Sequence, residues 1–287
     1  MLDGPFRERP DERPEAWLAE WWLPFQPVFV SEEQEYKNKV KSYHVMSKSF
    51  LLVGGSSDIA HHLASLLLTN GHHVTLLARD VQRCESLVVQ GAEVVQGDAL
   101  DEAAVKAAVD HASSRGEGLA GLAHLVGSIA LRPPHATKLE DFEAVLRTNL
   151  TSAFLSLKVG GKAMLKAGSG RLVFTSSVAG SYGLTNHEAI AAAKGGLEAM
   201  VRAAASTYAQ RGLRVNAVAP GLTETRLGAS VLRSDAIREA SVGMIPLKRI
   251  NEPEEIASSM HWLLTSAPDN LTGHVLPLDG GMSALRG

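Results

Sequence analysis

The sequence predicts an α/β fold, a doubly wound sheet of about seven parallel strands with helices on both faces. Short apolar runs of strand length alternate with segments whose apolar residues recur at helical spacing. Strands and helices that alternate in this way form a parallel sheet covered on both faces. The chain has 287 residues, 45% of them hydrophobic, which is enough to bury the core of one such domain.

Seven apolar runs give the predicted strands in chain order. They cover residues 50–53, 74–78, 93–95, 122–126, 171–175, 213–218 and 274–278. Helices are predicted over 100–112, around 142–164 and over 188–209, and a further helix follows the first strand. Ligands of such sheets bind beyond the carboxyl ends of the strands. The sequence motifs described below lie at those ends.

The first 45 residues differ in composition from the rest of the chain. They contain eight of the fifteen aromatic residues, five of the twelve prolines and the whole formal charge of −3. We therefore divide the chain into an aromatic- and proline-rich extension, residues 1–47, and one domain, residues 48–287. Three accounts of the extension remain open: an appendage that packs on a protein surface, an upstream start codon wrongly chosen, or a docking segment with tryptophan anchors.

Composition also limits the partners and the compartment. The near-zero net charge argues against a nucleic-acid partner. The stretch 17–30 is too short and too polar to span a membrane, and the acidic N-terminus does not resemble a signal peptide. The single cysteine, Cys84, permits no intramolecular disulfide, so we expect the reducing cytoplasm. The paired histidines lack metal-ligand spacing, and we assign no metal.

A glycine-rich turn directly follows the first strand. The sequence there is Val53-Gly54-Gly55-Ser56-Ser57-Asp58-Ile59-Ala60. Such a turn at a helix start lets backbone N–H groups approach a pyrophosphate, assisted by the positive end of the helix dipole. A tight strand-to-helix turn without a ligand is the alternative.

This stretch resembles the T-G-x-x-x-G-x-G turn of the short-chain dehydrogenase/reductase family, although Val53, Asp58 and Ala60 replace the threonine and two glycines. The resemblance runs from about Phe50 to Met282 and implies a Rossmann-type domain. Further family motifs follow in order at Gly97-Asp98-Ala99, Asn149, Ser176-Ser177, Lys194, Asn216-Ala217-Val218-Ala219-Pro220-Gly221, Glu252 to Ala257 and Leu278 to Met282.

The resemblance implies a nicotinamide dinucleotide as cofactor. The second strand ends in Ala78-Arg79, where members of the family selective for NAD carry an acid. An arginine suits the extra phosphate of NADP, so we expect NADP(H) to be preferred and NAD(H) to remain possible. The implied cofactor-binding residues are Gly54, Ser56, Ser57, Asp58, Ile59, Arg79, Asp98, Ala99, Gly127, Lys194, Pro220, Gly221 and Thr225.

The catalytic centre that the resemblance implies is incomplete. Asn149, Ser177 and Lys194 occur at the family's spacings, but Ile190 occupies the position of the tyrosine that exchanges a proton with substrate. His187 lies seven residues before Lys194, where the enoyl-reductase branch of the family has its tyrosine. We therefore count Ser177, Lys194, Asn149 and His187 as candidate catalytic residues. A capping or solvated histidine is the alternative for His187.

The neighbouring residues have less specific expectations. Tyr182 is expected to line the substrate cleft, Tyr208 to pack and His124 to be structural. The segment 227–250 is expected to cover an apolar or mixed small-molecule substrate. We expect a homodimer or homotetramer, because the family assembles through the alanine-rich helix 188–209 and the helix before it.

Two hypotheses of function follow. The first is an oxidoreductase that transfers hydride between NADP(H) and a carbonyl/alcohol pair, with the usual tyrosine donor replaced. The second is a protein that binds NADP(H) without turnover, as a sensor or a regulatory subunit.

Overall fold

The computed structural model describes residues 47–285. Its sheet has seven strands in the order β3-β2-β1-β4-β5-β6-β7, and every neighbouring pair is parallel. The predicted doubly wound parallel sheet is therefore confirmed. The strands are β1 (Ser49–Val53), β2 (His73–Ala78), β3 (Glu93–Gln96), β4 (Leu119–His124), β5 (Gly170–Thr175), β6 (Leu213–Pro220) and β7 (Val275–Leu278).

The helices of the described part alternate with these strands. They are α1 (Asp58–Thr69), α2 (Glu85–Val89), α3 (Glu102–Ser113), α4 (Leu139–Leu146), α5 (Ser152–Ala167), α6 (Glu188–Tyr208), α7 (Arg226–Ala229), α8 (Asp235–Gly243) and α9 (Pro253–Thr265). Among residues 47–285, none of these helices combines the length and apolarity needed to cross a membrane.

Two apolar cores lie on opposite faces of the sheet. Side chains of β1 alternate between them, with Phe50 and Leu52 in one core and Leu51 and Val53 in the other. The first core includes residues of α1 and α9, and the second includes residues of α3, α5 and α6. Tyr208 packs against the second core, as expected. Because both faces are covered, a ligand can reach the sheet only at its edges and ends.

The largest errors in the predicted boundaries are in the fourth strand and in the helix that follows it. The fourth strand begins at Leu119 rather than residue 122 and ends at His124 rather than residue 126, because its pairing with β1 runs from Leu119 to His124. The helix expected around 142–164 is interrupted by a π-helical turn, Arg147–Thr151. Asn149 lies in that turn, and its side-chain amide donates to the Val145 carbonyl, the acceptor that a regular helix offers to the Asn149 backbone N–H.

The extension predicted over residues 1–47 lies, except for Ser47, outside the described residues. Its proposed separation from the domain is therefore still a prediction.

Candidate cofactor and substrate cleft

A cleft of about 570 Å³ opens at the carboxyl ends of the strands. That volume is within the range typical of small-molecule and cofactor sites. All sixteen sequence-predicted site residues line it, because six strands, β1 to β6, end at the same edge of the sheet. These residues are Gly54, Ser56, Ser57, Asp58, Ile59, Arg79, Asp98, Ala99, Gly127, Asn149, Ser177, His187, Lys194, Pro220, Gly221 and Thr225.

The turn between β1 and α1 forms one wall. Gly54 has a φ of +93°, and a Cβ on Gly55 would come within 2.6 Å of the Leu76 Cβ, so both positions require glycine. Ser57 caps α1 by accepting a hydrogen bond from the Ala60 N–H. Within the described residues, the backbone N–H groups of Ser56, Asp58 and Ile59 have no hydrogen-bond partner. These donors at the positive end of a 12-residue helix suit a pyrophosphate.

Basic side chains lie at the end of the cleft formed by β2 and β3. The Arg79 guanidinium lies 3.7 Å from an Asp98 carboxylate oxygen, and the Arg79 side chain is 79% exposed. Arg83 also lines the cleft and pairs with Asp80 at 3.1 Å. The sequence analysis missed Arg83, although its place four residues after Arg79 was a usable signal. Two arginines and no acid at Ala78 make this end suitable for a phosphate.

Lys194 lies deep in the middle of the cleft, 5% exposed. Its ammonium donates to the Thr175 carbonyl at 2.7 Å. Burial lowers the pKa of Lys194 to about 8, so the side chain is still charged at neutral pH. A Cβ on Gly127 would lie 3.2 Å from the Asn149 side-chain oxygen and 3.8 Å from the Lys194 Nζ, so glycine keeps this space open.

Asn149 is fully buried and connects two segments of the cleft wall. Its oxygen accepts from the Ser128 N–H, and its amide donates to the Ser128 and Val145 carbonyls. Asn149 therefore fixes the backbone beyond β4 to the π-helical turn.

Ser177 begins a 3-10 turn after β5, and its Oγ accepts a hydrogen bond from the Ala179 N–H. Its hydroxyl hydrogen has no acceptor among the described residues and is free to be donated into the cleft. Ile190, at the family's tyrosine position, is buried against Val145 and Ala193 but also lines the cleft. The cleft wall at this position is therefore hydrocarbon.

His187 is the N-cap residue of α6 and is partly exposed at the cleft wall. Its Nδ1 lies 2.8 Å from the Thr185 carbonyl oxygen. Because a carbonyl only accepts, Nδ1 carries the hydrogen, and Nε2 is the atom that can take up or release a proton. His187 and Ile190 line the cleft together with Lys194, as the helical spacing predicts.

His124 is buried below the cleft floor between Ser152 and Ser156, with both ring nitrogens 3.1 Å from a hydroxyl oxygen. Burial, assisted by the positive charge of Lys194, lowers the pKa of His124 to about 3. The expectation of a structural His124 agrees with this position. Tyr182 does not line the cleft: that expectation is wrong, because the 3-10 turn carries its side chain to the surface, where it is 41% exposed.

An ion pair that the sequence analysis missed joins the two walls. Arg226 follows Thr225, which caps the short helix α7, and its Nε donates to Asp58 at 2.7 Å. The Arg226 backbone N–H donates to the same carboxylate, and Nη2 donates to the Ser56 carbonyl. The departure of Asp58 from the family's glycine was the available signal, but nothing in the sequence named its partner.

No group of three or more His, Cys, Asp or Glu side chains among residues 47–285 is arranged to hold a metal ion. The free amides of the glycine-rich turn, the arginines beyond β2 and the buried Lys194 fit a nicotinamide dinucleotide. The fold and the cleft thus define a dinucleotide-binding protein of the parallel α/β class.

Comparison with known proteins identifies the family. The family model described as enoyl-(acyl carrier protein) reductase matches residues 54–283. The chain is 31% identical over 254 residues to 2-(S)-hydroxypropyl-CoM dehydrogenase 3 of Xanthobacter autotrophicus, covering 85% of this chain and 100% of that protein. The chain therefore belongs to the short-chain dehydrogenase/reductase family of oxidoreductases.

Two further matches bear on the site. The inactive 2-(S)-hydroxypropyl-CoM dehydrogenase 2 of the same bacterium is 32% identical over 230 residues, covering 78% of this chain and 100% of that protein. A solved structure from Beutenbergia cavernae, described as a candidate NAD(P)-dependent gluconate 5-dehydrogenase with bound NADP at low occupancy, superposes with a TM-score of 0.77. It is 29% identical and covers 84% of this chain and 98% of that one.

Proposed function

We propose that this oxidoreductase transfers a hydride between NADP(H) and a carbonyl/alcohol substrate, with a proton donor other than tyrosine. The observation that carries the proposal is that Ser177, Lys194 and the free amides of the glycine-rich turn line one cleft. When bound, NADPH supplies the hydride to the carbonyl carbon. The protein's own groups must bind the cofactor, polarise the carbonyl and supply a proton to its oxygen.

The preference for NADP(H) is supported by Arg79 and Arg83 at the end of the cleft beyond β2. The absence of an acid at Ala78 removes the partner that the ribose hydroxyls of NAD would need. The related structure from Beutenbergia cavernae holds NADP, which supports the same choice. Binding of NAD(H) is compatible with this site at lower affinity.

Lys194 and Ser177 have separate tasks in this scheme. Lys194 is charged below a pKa of about 8, so at neutral pH it can hold the nicotinamide ribose. The Ser177 Oγ already accepts a hydrogen bond from the Ala179 N–H, which directs its own hydrogen toward another acceptor. That hydrogen is available to the substrate oxygen as negative charge develops on it.

His187 is the proposed proton carrier. As an imidazolium, its Nε2–H donates the proton to the developing alkoxide during carbonyl reduction, and in the reverse direction the neutral Nε2 accepts the proton of the alcohol. The hydrogen bond from Nδ1 to the Thr185 carbonyl fixes the ring nitrogen that performs this task. Ile190 at the tyrosine position contributes only apolar surface.

The substrate half of the cleft favours an apolar carbonyl compound. Its walls carry aliphatic and thioether side chains, namely Leu184, Ile190, Leu227, Val231, Met244 and Ile245. An anionic substrate would need a permanent cation there, and the lysine and arginine side chains that line the cleft lie at the cofactor-binding positions, beyond β2 or against the glycine-rich turn. We therefore infer an uncharged ketone or aldehyde.

The test begins with titration of NADPH into the full-length protein, followed by turnover on a panel of apolar and charged carbonyl compounds. We expect NADPH binding, turnover on apolar compounds and at least a tenfold loss of kcat in His187→Ala with the NADPH dissociation constant unchanged. His135→Ala, an exposed histidine outside the cleft, is the matched control. Unchanged kcat in His187→Ala would remove His187 from the mechanism.

Restoring the tyrosine tests whether the rest of the centre is competent. Ile190→Tyr places a phenol thirteen residues after Ser177 and four before Lys194, and general acid catalysis contributes about 10² to 10⁴ in rate. We expect kcat to rise at least tenfold. No gain over His187→Ala in a folded, NADPH-binding variant that carries both His187→Ala and Ile190→Tyr would mean that Ser177 and Lys194 are not placed for catalysis.

The second candidate is a protein that binds NADP(H) without turnover. It is favoured by the hydrocarbon wall at Ile190 and by similarity to a relative named as inactive. Tight NADPH binding with no turnover on any compound, in wild type and Ile190→Tyr alike, would establish this alternative.

Three accompanying proposals concern the protein as a whole. The single cysteine favours the cytoplasm.

A homodimer or homotetramer is supported by Phe154, 52% exposed on α5, and light scattering of wild type against Phe154→Glu tests it. The extension, residues 1–47, is proposed to be separable from the domain, and deletion of residues 1–45 should leave NADPH affinity unchanged.

A further inference from the structure

The ion pair between Asp58 and Arg226 joins two segments that are 168 residues apart in sequence. Asp58 is the first residue of α1, and Arg226 is the first residue of α7, which follows β6. Both residues line the cleft, so the pair connects the glycine-rich turn to the segment that follows β6.

The position of Asp58 poses an electrostatic problem for the proposed cofactor. A carboxylate at the start of α1 stabilises the helix, but it also lies beside the free amides that suit a pyrophosphate. An uncompensated Asp58 would repel an anion at this turn. Arg226 removes the problem, because two of its N–H groups bind both oxygens of the carboxylate.

Arg226 also retains donors for a ligand. A guanidinium side chain has five N–H hydrogens, of which Nε–H binds Asp58 and one on Nη2 binds the Ser56 carbonyl. The remaining three have no partner among the described residues. Since 46% of the side chain is exposed while it lines the cleft, these donors are accessible to a bound anion.

We propose that Arg226, oriented by Asp58, binds the pyrophosphate of the cofactor and holds the segment after β6 against the glycine-rich turn. This inference rests on the proposed dinucleotide binding at that turn. Arg226 is thereby a specificity determinant for ligands that carry a pyrophosphate, separate from Arg79, which serves the 2′-phosphate.

A series of ligands tests this assignment by equilibrium titration. Adenosine 2′-monophosphate lacks the pyrophosphate, whereas NADPH contains both phosphate groups. We expect Arg226→Gln to raise the dissociation constant of NADPH at least tenfold. The dissociation constant of adenosine 2′-monophosphate should stay within twofold of the wild-type value. Arg79→Ala should weaken both ligands. Arg233→Gln is the matched control, since Arg233 is in the same segment but does not line the cleft.

A double-mutant cycle separates ligand binding from a purely structural tether. If Asp58 is compensated by Arg226, Arg226→Gln should cost more NADPH affinity with Asp58 present than in Asp58→Asn, where no carboxylate repels the pyrophosphate. Arg226→Lys should recover part of the affinity through its charge. The Arg226 amide donates to Asp58, so its hydrogen exchange without cofactor should speed up in Asp58→Asn.

Two results would overturn the proposal. The first is that folded Arg226→Gln and Arg226→Lys both bind NADPH with an affinity within twofold of wild type. The second is that Arg226→Gln loses affinity for NADPH and for adenosine 2′-monophosphate by the same factor. Failure of wild type to bind NADPH would instead refute the proposed function. The thermal unfolding temperature of each variant shows that it is folded.

Discussion

The acid sensitivity of the fold should depend on His124. This histidine is fully buried between Ser152 and Ser156. Ser152 donates its hydroxyl hydrogen to the Thr148 carbonyl, so it must accept from Nε2–H of the ring. Nδ1 then accepts from Ser156. The native structure therefore contains the neutral ring, and its protonation opposes folding.

The size of the effect follows from the two pKa values. The pKa of His124 is about 3 in the folded protein, against an ordinary value of 6.5. The folded pKa is lowered, so between pH 6.5 and 3 the unfolded chain binds the proton and the native state does not. The free energy of unfolding therefore falls as the pH falls through that window, by about 1.4 kcal/mol for each pH unit. Between pH 6.5 and 5.0 the His124 contribution amounts to about 2 kcal/mol.

Urea denaturation of wild type and His124→Asn from pH 7.5 to 5.0 measures this contribution. At pH 7.5 we expect the variant to be about 1 to 3 kcal/mol less stable, because two buried serines lose a matched partner. On acidification the deficit should shrink by about 2 kcal/mol, since the amide does not titrate. His135→Asn is the control, as His135 is exposed and takes no part in this hydrogen-bond network.

The comparison isolates His124 from the other histidines. Burial also lowers the pKa of His72 and His261, but both are present in wild type and variant and cancel in the difference. A stability deficit of His124→Asn that does not change between pH 7.5 and 5.0 would refute the reasoning. The ring would then be protonated in the native state or solvated.

Three further predictions concern the cleft. Arg79→Ala should weaken NADPH at least tenfold and leave NADH nearly unchanged in parallel titrations. Lys194→Met should raise the unfolding free energy at pH 7 by up to about 3 kcal/mol in urea denaturation, because burial lowers the Lys194 pKa from 10.5 to about 8, and it should weaken NADPH binding. Between pH 8 and 10.5 the Lys194 amine is protonated in the unfolded chain but not in the folded protein. The free energy of unfolding of wild type should therefore rise as the pH rises through that window, and that of Lys194→Met should not. Gly54→Ala should lower the free energy of unfolding by about 1 to 3 kcal/mol in urea denaturation, because Gly54 has a φ of +93°, which a residue with a Cβ adopts only with strain.

The sequence alone predicts the fold and the residues that line the cleft. Alternation of apolar strands with helical segments predicts the parallel sheet, because burial on both faces leaves a strong pattern. The ends of β1 to β6 meet at one edge, so motifs placed at strand ends share one cleft. The boundary errors at β4 and around Asn149 arise because pairing partners and side-chain hydrogen bonds decide where an element ends.

The features that the sequence did not predict depend on tertiary contacts. The pairing of Asp58 with Arg226 spans 168 residues, and no local pattern encodes such a partner. The position of Tyr182 depends on the path of the chain after the 3-10 turn, which carries the side chain outward. The hydrogen-bonding state of His124 and Ser177 likewise depends on neighbours that only the fold brings together.

The candidate catalytic residues differ in how far their presence distinguishes an enzyme from a protein that only binds the cofactor. Lys194 would be kept by any protein that holds a nicotinamide ribose, and Asn149 would be kept to fix the π-helical turn to Ser128. Neither residue therefore distinguishes an enzyme from a protein that only binds the cofactor. The Ser177 hydroxyl hydrogen and the Nε2 atom of His187 differ, because neither has a hydrogen-bond partner among the described residues. Both belong to side chains that line the cleft, where a substrate oxygen would be their partner, and the enzymatic proposal depends on these two atoms.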